Sequence, residues 1–141
     1  LEAVEARALS VRHHRAHIAD ELLTLKCPRT GCRQAFIDFT GCFALRCTRA
    51  GCNTYFCGWC LHASANDRDA HAHVMGCAHK LATTNYHGSV QQFEECNRVR
   101  RRRLVQQYVD AIEPADVRRD VHGECQSDLR DLELDISLRS G

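Results

Sequence analysis

The chemistry this sequence offers first is that of thiols and imidazoles. Between residues 27 and 77 it runs Cys27-x4-Cys32, a gap of fourteen residues, Cys47-x4-Cys52, then Cys57-x2-Cys60, and it closes with histidines shortly before Cys77. Ligands at such short spacings reach one ion from paired turns, and a structural zinc takes four of them. Seven of these cysteines and one histidine make eight ligands, the number that two Zn2+ ions need. The first site is expected from Cys27, Cys32, Cys47 and Cys52, and the second from Cys57, Cys60, Cys77 and a histidine. His73 is preferred and His71 stands close behind, since loop length does not separate them; His62 and His79 are weaker candidates. Cys42 is left over, as a spare thiol, as a buried apolar cysteine, or as a ligand in place of Cys32 or Cys47.

Composition agrees with stabilisation by metal. Only 6% of the 141 residues are aromatic, whereas ten are cysteine and nine histidine, so apolar bulk for one large core is lacking. Paired cysteines accompanied by histidines suit metal sites better than a secreted disulfide framework, and a reducing compartment, cytosol or nucleus, is expected. No secretory leader and no run of eighteen apolar residues is present, so no membrane partner is expected. A net charge of +1 gives the whole chain no general attraction to nucleic acid. The first residue is Leu1, which reads as a piece of a longer protein with further domains.

The elements that must carry these ligands divide the chain into three: 1–26, 27–80 and 81–141. Leu1, Val4, Ala8, Val11, Ile18, Leu22 and Leu25 recur at three- and four-residue spacing and predict an amphipathic helix that stops near Pro28. The short apolar runs "AFIDF", "CFAL" and "TYFC" predict brief strands or hairpin arms between ligands. Ser89 and Gln92 read as a capping box opening a long helix marked by Val90, Phe93, Cys96, Leu104, Tyr108 and Ile112. Pro114 opens a third helix, over about 114–122. The tail from Cys125 has no assigned structure, and no internal repeat stands out. The fold class is α+β, a small zinc-stabilised, hairpin-rich centre flanked by helices.

Over residues 27–77, "CPRTGC", "TGCFALRC", "TRAGC", "YFCGWC" and the His-to-Cys closure resemble the catalytic Rcat (RING2) module of RING-between-RING ubiquitin ligases. The resemblance implies two zincs in sequential order and an unliganded cysteine after a glycine, four residues ahead of the third ligand. Gly41-Cys42 occupies that place. It therefore implies a transferase in which a ubiquitin-conjugating enzyme passes ubiquitin to Cys42 as a thioester, and an amine on a protein substrate then takes it. Thiolates are strong nucleophiles, and exchange between thioesters is nearly balanced in energy.

Three departures accompany the resemblance. Family members often carry a histidine two residues after the nucleophile, where this chain has Ala44; a polar residue often stands where Tyr55 does; and the RING that recruits the conjugating enzyme is absent from this sequence. A four-thiolate zinc carries a formal charge of about −2, which disfavours a nearby thiolate. Compensation for Cys42 must come from Arg33, Arg46, Arg49, a helix N-terminus, or a histidine delivered by folding such as His62 or His71. A non-catalytic zinc module of the same ligases, binding ubiquitin or another protein, is the alternative, and a zinc-ribbon nucleic-acid binder ranks behind both. The basic run Arg98–Arg103, diluted by Glu94, Glu95, Asp110 and Glu113, reads as a solvated helix face; His13, His14 and His17 read as surface.

Overall fold

The protein is described by a computed structural model covering residues 2–36, 38–81 and 86–139. It is α+β: helices with one small three-stranded antiparallel sheet. Contacts divide the chain into two compact units. One joins the first 24 residues to those from 101 onward, and the other spans Leu25–Arg100. No helix among the described residues is long and apolar enough to cross a membrane.

The helical unit contains α1 (Glu2–His17), continued by a five-residue π-helical turn (Ile18–Leu22), the second half of α3 (Val90–Asp110), α4 (Ala115–Glu124) and α5 (Gln126–Asp131). The apolar stripe expected along residues 1–25 is narrower than its spacing suggests. Val11 and Ile18 are buried, but Val4 is 69% exposed, and Leu25 belongs to the other core; Leu1 lies outside the described residues. The helix also ends at Leu22, well before Pro28. The residues after α5 run back along α3, where Gln106 accepts from the Ser137 backbone N–H at 2.8 Å and Leu134 and Ile136 are buried. Of the three histidines of α1, His13 is exposed, but His14 and His17 are not simply surface. His14 Nδ1 lies 2.6 Å from the Tyr108 hydroxyl, and the His17 ring stacks on the Tyr108 ring at 4.6 Å.

In the other unit β1 (Ala44–Arg46), β2 (Tyr55–Cys57) and β3 (Ala63–Ser64) pair in that order, with Leu45 opposite Phe56. The "AFIDF" run is not a strand in its described part: Ala35 makes an isolated bridge to Lys26, and Ile37 lies outside the described residues. α2 (Asp67–Met75) follows β3, its first turn closed by the Asn66 side chain, which accepts from the Asp69 N–H at 2.8 Å. The capping box at Ser89 forms in full: Gln92 Oε1 accepts from the Ser89 N–H, and Ser89 Oγ from the Gln92 N–H.

Contrary to the expectation of no repeat, the unit opens with a duplication. "LKCPRTGCRQAF" (25–36) and "LRCTRAGCNTYF" (45–56) match at Leu, Cys, Arg, Gly, Cys and Phe with a constant offset of twenty. Their backbones match too. Cys27 N–H donates to Gln34 O and Cys47 N–H to Thr54 O; Cys32 N–H donates to Arg29 O and Cys52 N–H to Arg49 O. Lys26 pairs with Ala35 as Arg46 pairs with Tyr55. Each copy is a hairpin whose turn folds over two thiols, and Phe36 and Phe56, the matching ends, meet edge to face at 5.6 Å.

Candidate metal centres and an uncommitted thiol

The two hairpins bring Cys27, Cys32, Cys47 and Cys52 together, with all four sulfurs within 4.8 Å of one another. Cys27 Sγ is 3.7 Å from Cys52 Sγ, and Cys32 Sγ is 3.6 Å from Cys47 Sγ, far too long for disulfides; all ten cysteines are free. The second group is Cys57, Cys60, His73 and Cys77, in which Cys60 Sγ lies 3.2 Å from His73 Nε2. Each group is a set of four donors that could hold one metal ion.

Electrostatics within the groups point the same way. Burial pushes the Cys27 thiol up to about 12 and raises Cys57 further, while the Thr54 hydroxyl, 3.3 Å from Cys52 Sγ, holds that thiol down to about 6. Left alone, the first group would be a mixture of thiols and thiolates. A bound cation is what makes four thiolates at this spacing stable together. Burial, helped by the neighbouring His62, pushes His73 below its ordinary value and so favours the neutral imidazole that metals take. The His62 ring stacks on that of His73 at 4.2 Å; His62 and His79 belong to neither group.

Helix geometry separates His71 from His73. Successive residues of an α-helix turn by about 100°. Ala70 and Val74 form the buried face of α2, so His71 and His73 stand on its opposite shoulders. His73 enters the second donor group. His71 does not: its Nε2 lies 3.5 Å from Cys42 Sγ. The His71 Nδ1–H donates to the Asp67 carbonyl at 2.8 Å, and the Asp67 carboxylate is 3.4 Å away. With the proton on Nδ1, the Nε2 lone pair is directed toward the Cys42 thiol.

Cys42 belongs to neither donor group and is half-buried. Its position is set by its neighbours on both sides. Gly41 has φ +104°, a conformation open to glycine. Phe43 is fully buried, stacked on Trp59 at 4.2 Å and packed on Phe93. Across from Cys42, residues 86–88 add a short antiparallel bridge, with Phe43 N–H donating to Tyr86 O at 2.7 Å and Gly88 N–H to Gly41 O at 2.9 Å. A Cβ on Gly88 would lie 2.4 Å from the Phe43 ring, so only glycine lets this segment close. Tyr86 meets the His71 ring edge to face at 4.6 Å. Tyr86 was not among the residues singled out by spacing, since it lies beyond the last ligand.

The Arg98–Arg103 run is only in part a solvated face: Arg102 is exposed and Arg98 half-exposed, but Arg100 is buried. Arg98 pairs with Glu95, Arg100 is 3% exposed and donates to the Gly58 carbonyl, Arg101 donates to Leu23 O, and Arg102 to Asp135 O. No known family, curated protein or solved structure matches this chain.

Proposed function

We propose that the protein is a ubiquitin transferase of the RING-between-RING catalytic type, with two Zn2+ ions as structural supports and Cys42 as a transient carrier of ubiquitin. One observation carries the reading: of the eight cysteines between residues 27 and 77, seven fall into two four-donor groups and the eighth, Cys42, faces an imidazole instead. Zinc suits both groups. Metal–sulfur bonds of about 2.3 Å give a tetrahedral sulfur–sulfur edge of about 3.8 Å, close to the separations in the first group. Bound there, zinc supplies folding energy and no reaction chemistry. Free thiols throughout fit a reducing compartment, the cytosol or nucleus.

His71 supplies what Ala44 withholds. Its Nε2 accepts the Cys42 proton as the sulfur attacks the carbonyl carbon of the thioester between ubiquitin and the conjugating enzyme. The new carbon–sulfur bond forms, the old one breaks, and the proton passes to the departing thiolate. In the second half the amine of a protein substrate attacks the Cys42 thioester, the carbon–nitrogen bond forms as the carbon–sulfur bond breaks, and His71 takes the proton that the nitrogen sheds and returns it to the departing Cys42 thiolate. Asp67 holds the imidazole in the tautomer that both steps use.

Intact mass after incubation with a charged conjugating enzyme, and in parallel with ubiquitin carried on a small-molecule thioester, tests this. A thiol-sensitive adduct of one ubiquitin is expected on the parent protein, a thiol-stable oxyester on Cys42→Ser, and slower loading on His71→Ala. An adduct that persists in Cys42→Ala overturns the reading. Ubiquitin binding without any adduct from either donor would favour the non-catalytic module.

A further inference from the structure

The duplicated hairpins exchange one contact that their metal-ligand role does not require. Arg29 and Arg49 hold the same place in the two copies, two residues after the first thiol. Each reaches out of its own hairpin to the other. Arg29 Nη1 donates to the carbonyl of Cys52 at 3.1 Å, and Arg49 Nη1 donates to the carbonyls of Gly31 and Cys32 at 3.3 and 3.4 Å. Cys32 and Cys52 are themselves equivalent, so the bonds form a reciprocal pair between two ligand-bearing turns.

Both exposed carbonyls and a shared excess of negative charge are consequences of how such turns work. Folding the N–H groups inward over the sulfurs leaves the turn carbonyls pointing outward, and they need donors. Four thiolates around a divalent ion also leave a formal charge of about −2. A guanidinium answers both needs, because it donates in a fixed fork and carries a full positive charge. Among the described residues the second donor group shows no such exchange: its Cys57–Cys60 turn is held by Arg100 from α3, through Gly58 O.

We infer that Arg29 and Arg49 are a cross-hairpin clasp, positioning residues that lock the two halves of the first metal centre and slow the loss of its ion, while leaving the second centre untouched. Arg33 is not part of it. Its guanidinium bonds Cys27 O within its own hairpin, and its counterpart in the other copy is Asn53. The inference does not depend on the transferase reading.

Cobalt substitution tests it on the full chain, since a four-sulfur and a three-sulfur, one-nitrogen centre have different visible spectra and each serves as the other's reference. Release of Co2+ to excess chelator is followed at both bands in the parent, Arg29→Ala, Arg49→Ala, the double variant, and Arg29→Lys with Arg49→Lys. Release from the four-sulfur centre should quicken about tenfold in the double Ala variant, the scale of losing charge-assisted bonds at partly exposed sites, with each single variant between. The Lys pair, which keeps charge and loses the fork, should recover part of the loss. Release from the three-sulfur centre should stay within about twofold. The clasp is overturned if the four-sulfur rate does not change, if both centres loosen together, or if the parent's first group takes up no Co2+.

Discussion

The two units of this chain solve the same stability problem with different materials. The buried cluster of the helical unit is aliphatic: Val11, Ile18, Val105, Val109, Ile112, Val117, Val121, Leu129, Leu134 and Ile136, joined by one cysteine. In the other unit cysteines make up five of the twelve buried residues, and the apolar remainder is largely aromatic: Phe43, Phe56, Trp59 and Phe93. An aliphatic core of packed helices loses hydrophobic burial only on unfolding. A core in which sulfur replaces hydrocarbon must recover that energy from what the sulfur binds. The difference also places the candidate site: the unit that carries the two donor groups is the one that holds a thiol, Cys42, half-exposed beside the fully buried Phe43.

Removing metal should separate the two units more sharply than any substitution. The single tryptophan, Trp59, is 2% exposed in the unit with the two donor groups, so its fluorescence reports that unit alone, while far-UV circular dichroism is dominated by the long helices. A strong chelator is expected to shift Trp59 emission to the exposed value and abolish its cooperative melt, a loss on the order of 10 kcal/mol for a folding-coupled zinc site. Most helical signal should survive. Simultaneous loss of both signals would mean that the helical unit cannot stand without its neighbour, and the contrast would fail.

Paired core substitutions sharpen the contrast from the other side. Leu129 is fully buried in the helical unit, and Leu129→Ala should cost about 2–5 kcal/mol there with Co2+ uptake unchanged. Gly88→Ala forces a Cβ to within 2.4 Å of the Phe43 ring. Overpacking of this kind costs about 1–3 kcal/mol, and here it should appear in the Trp59 melt and in a changed alkylation rate of Cys42. If Leu129→Ala weakened Co2+ uptake as much as it lowered the helical melt, the two cores would have to be treated as one.

The sequence exposes the donor groups better than the elements that carry them. Cysteine spacing alone brought together Cys27, Cys32, Cys47 and Cys52, because ligands at the two ends of a tight turn are close whatever surrounds them. The choice between His71 and His73 could not be made from loop length. It is decided by which shoulder of α2 each occupies, and that follows from Ala70 and Val74 being the buried face, a fact of packing. The Arg98–Arg103 run misled for a similar reason: charge suggests solvent, but Arg100 finds the outward carbonyl of Gly58 only after the chain between them has folded. The twenty-residue duplication is legible in Leu25, Arg29 and Phe36 against Leu45, Arg49 and Phe56, positions that repeat beside the cysteines and that ligand spacing does not weigh.

The smallest effect separates the units by pH. In the helical unit Arg7 of α1 bonds Asp120 of α4, Nε to Oδ2 at 2.6 Å, with Asp116 3.2 Å from Nη1. That hydrogen bond holds the Asp120 carboxyl below its ordinary value. A carboxyl depressed on folding releases its proton more readily in the folded chain, so its contribution is present above the unfolded value of about 4 and is lost as pH falls through the folded one. Asp120→Asn should therefore melt slightly below the parent at pH 7, and the gap should close on acidification toward pH 3. Both side chains keep a third or more of their surface in solvent, so the gap is small and shrinks with salt. Acid is expected to act on the other unit by a different route, protonating the thiols that would hold a metal, and Asp120→Asn should leave that Trp59 transition where it was. A gap of equal size at pH 3 and pH 7 would show that Asp120 holds α1 and α4 through packing and not through its charge.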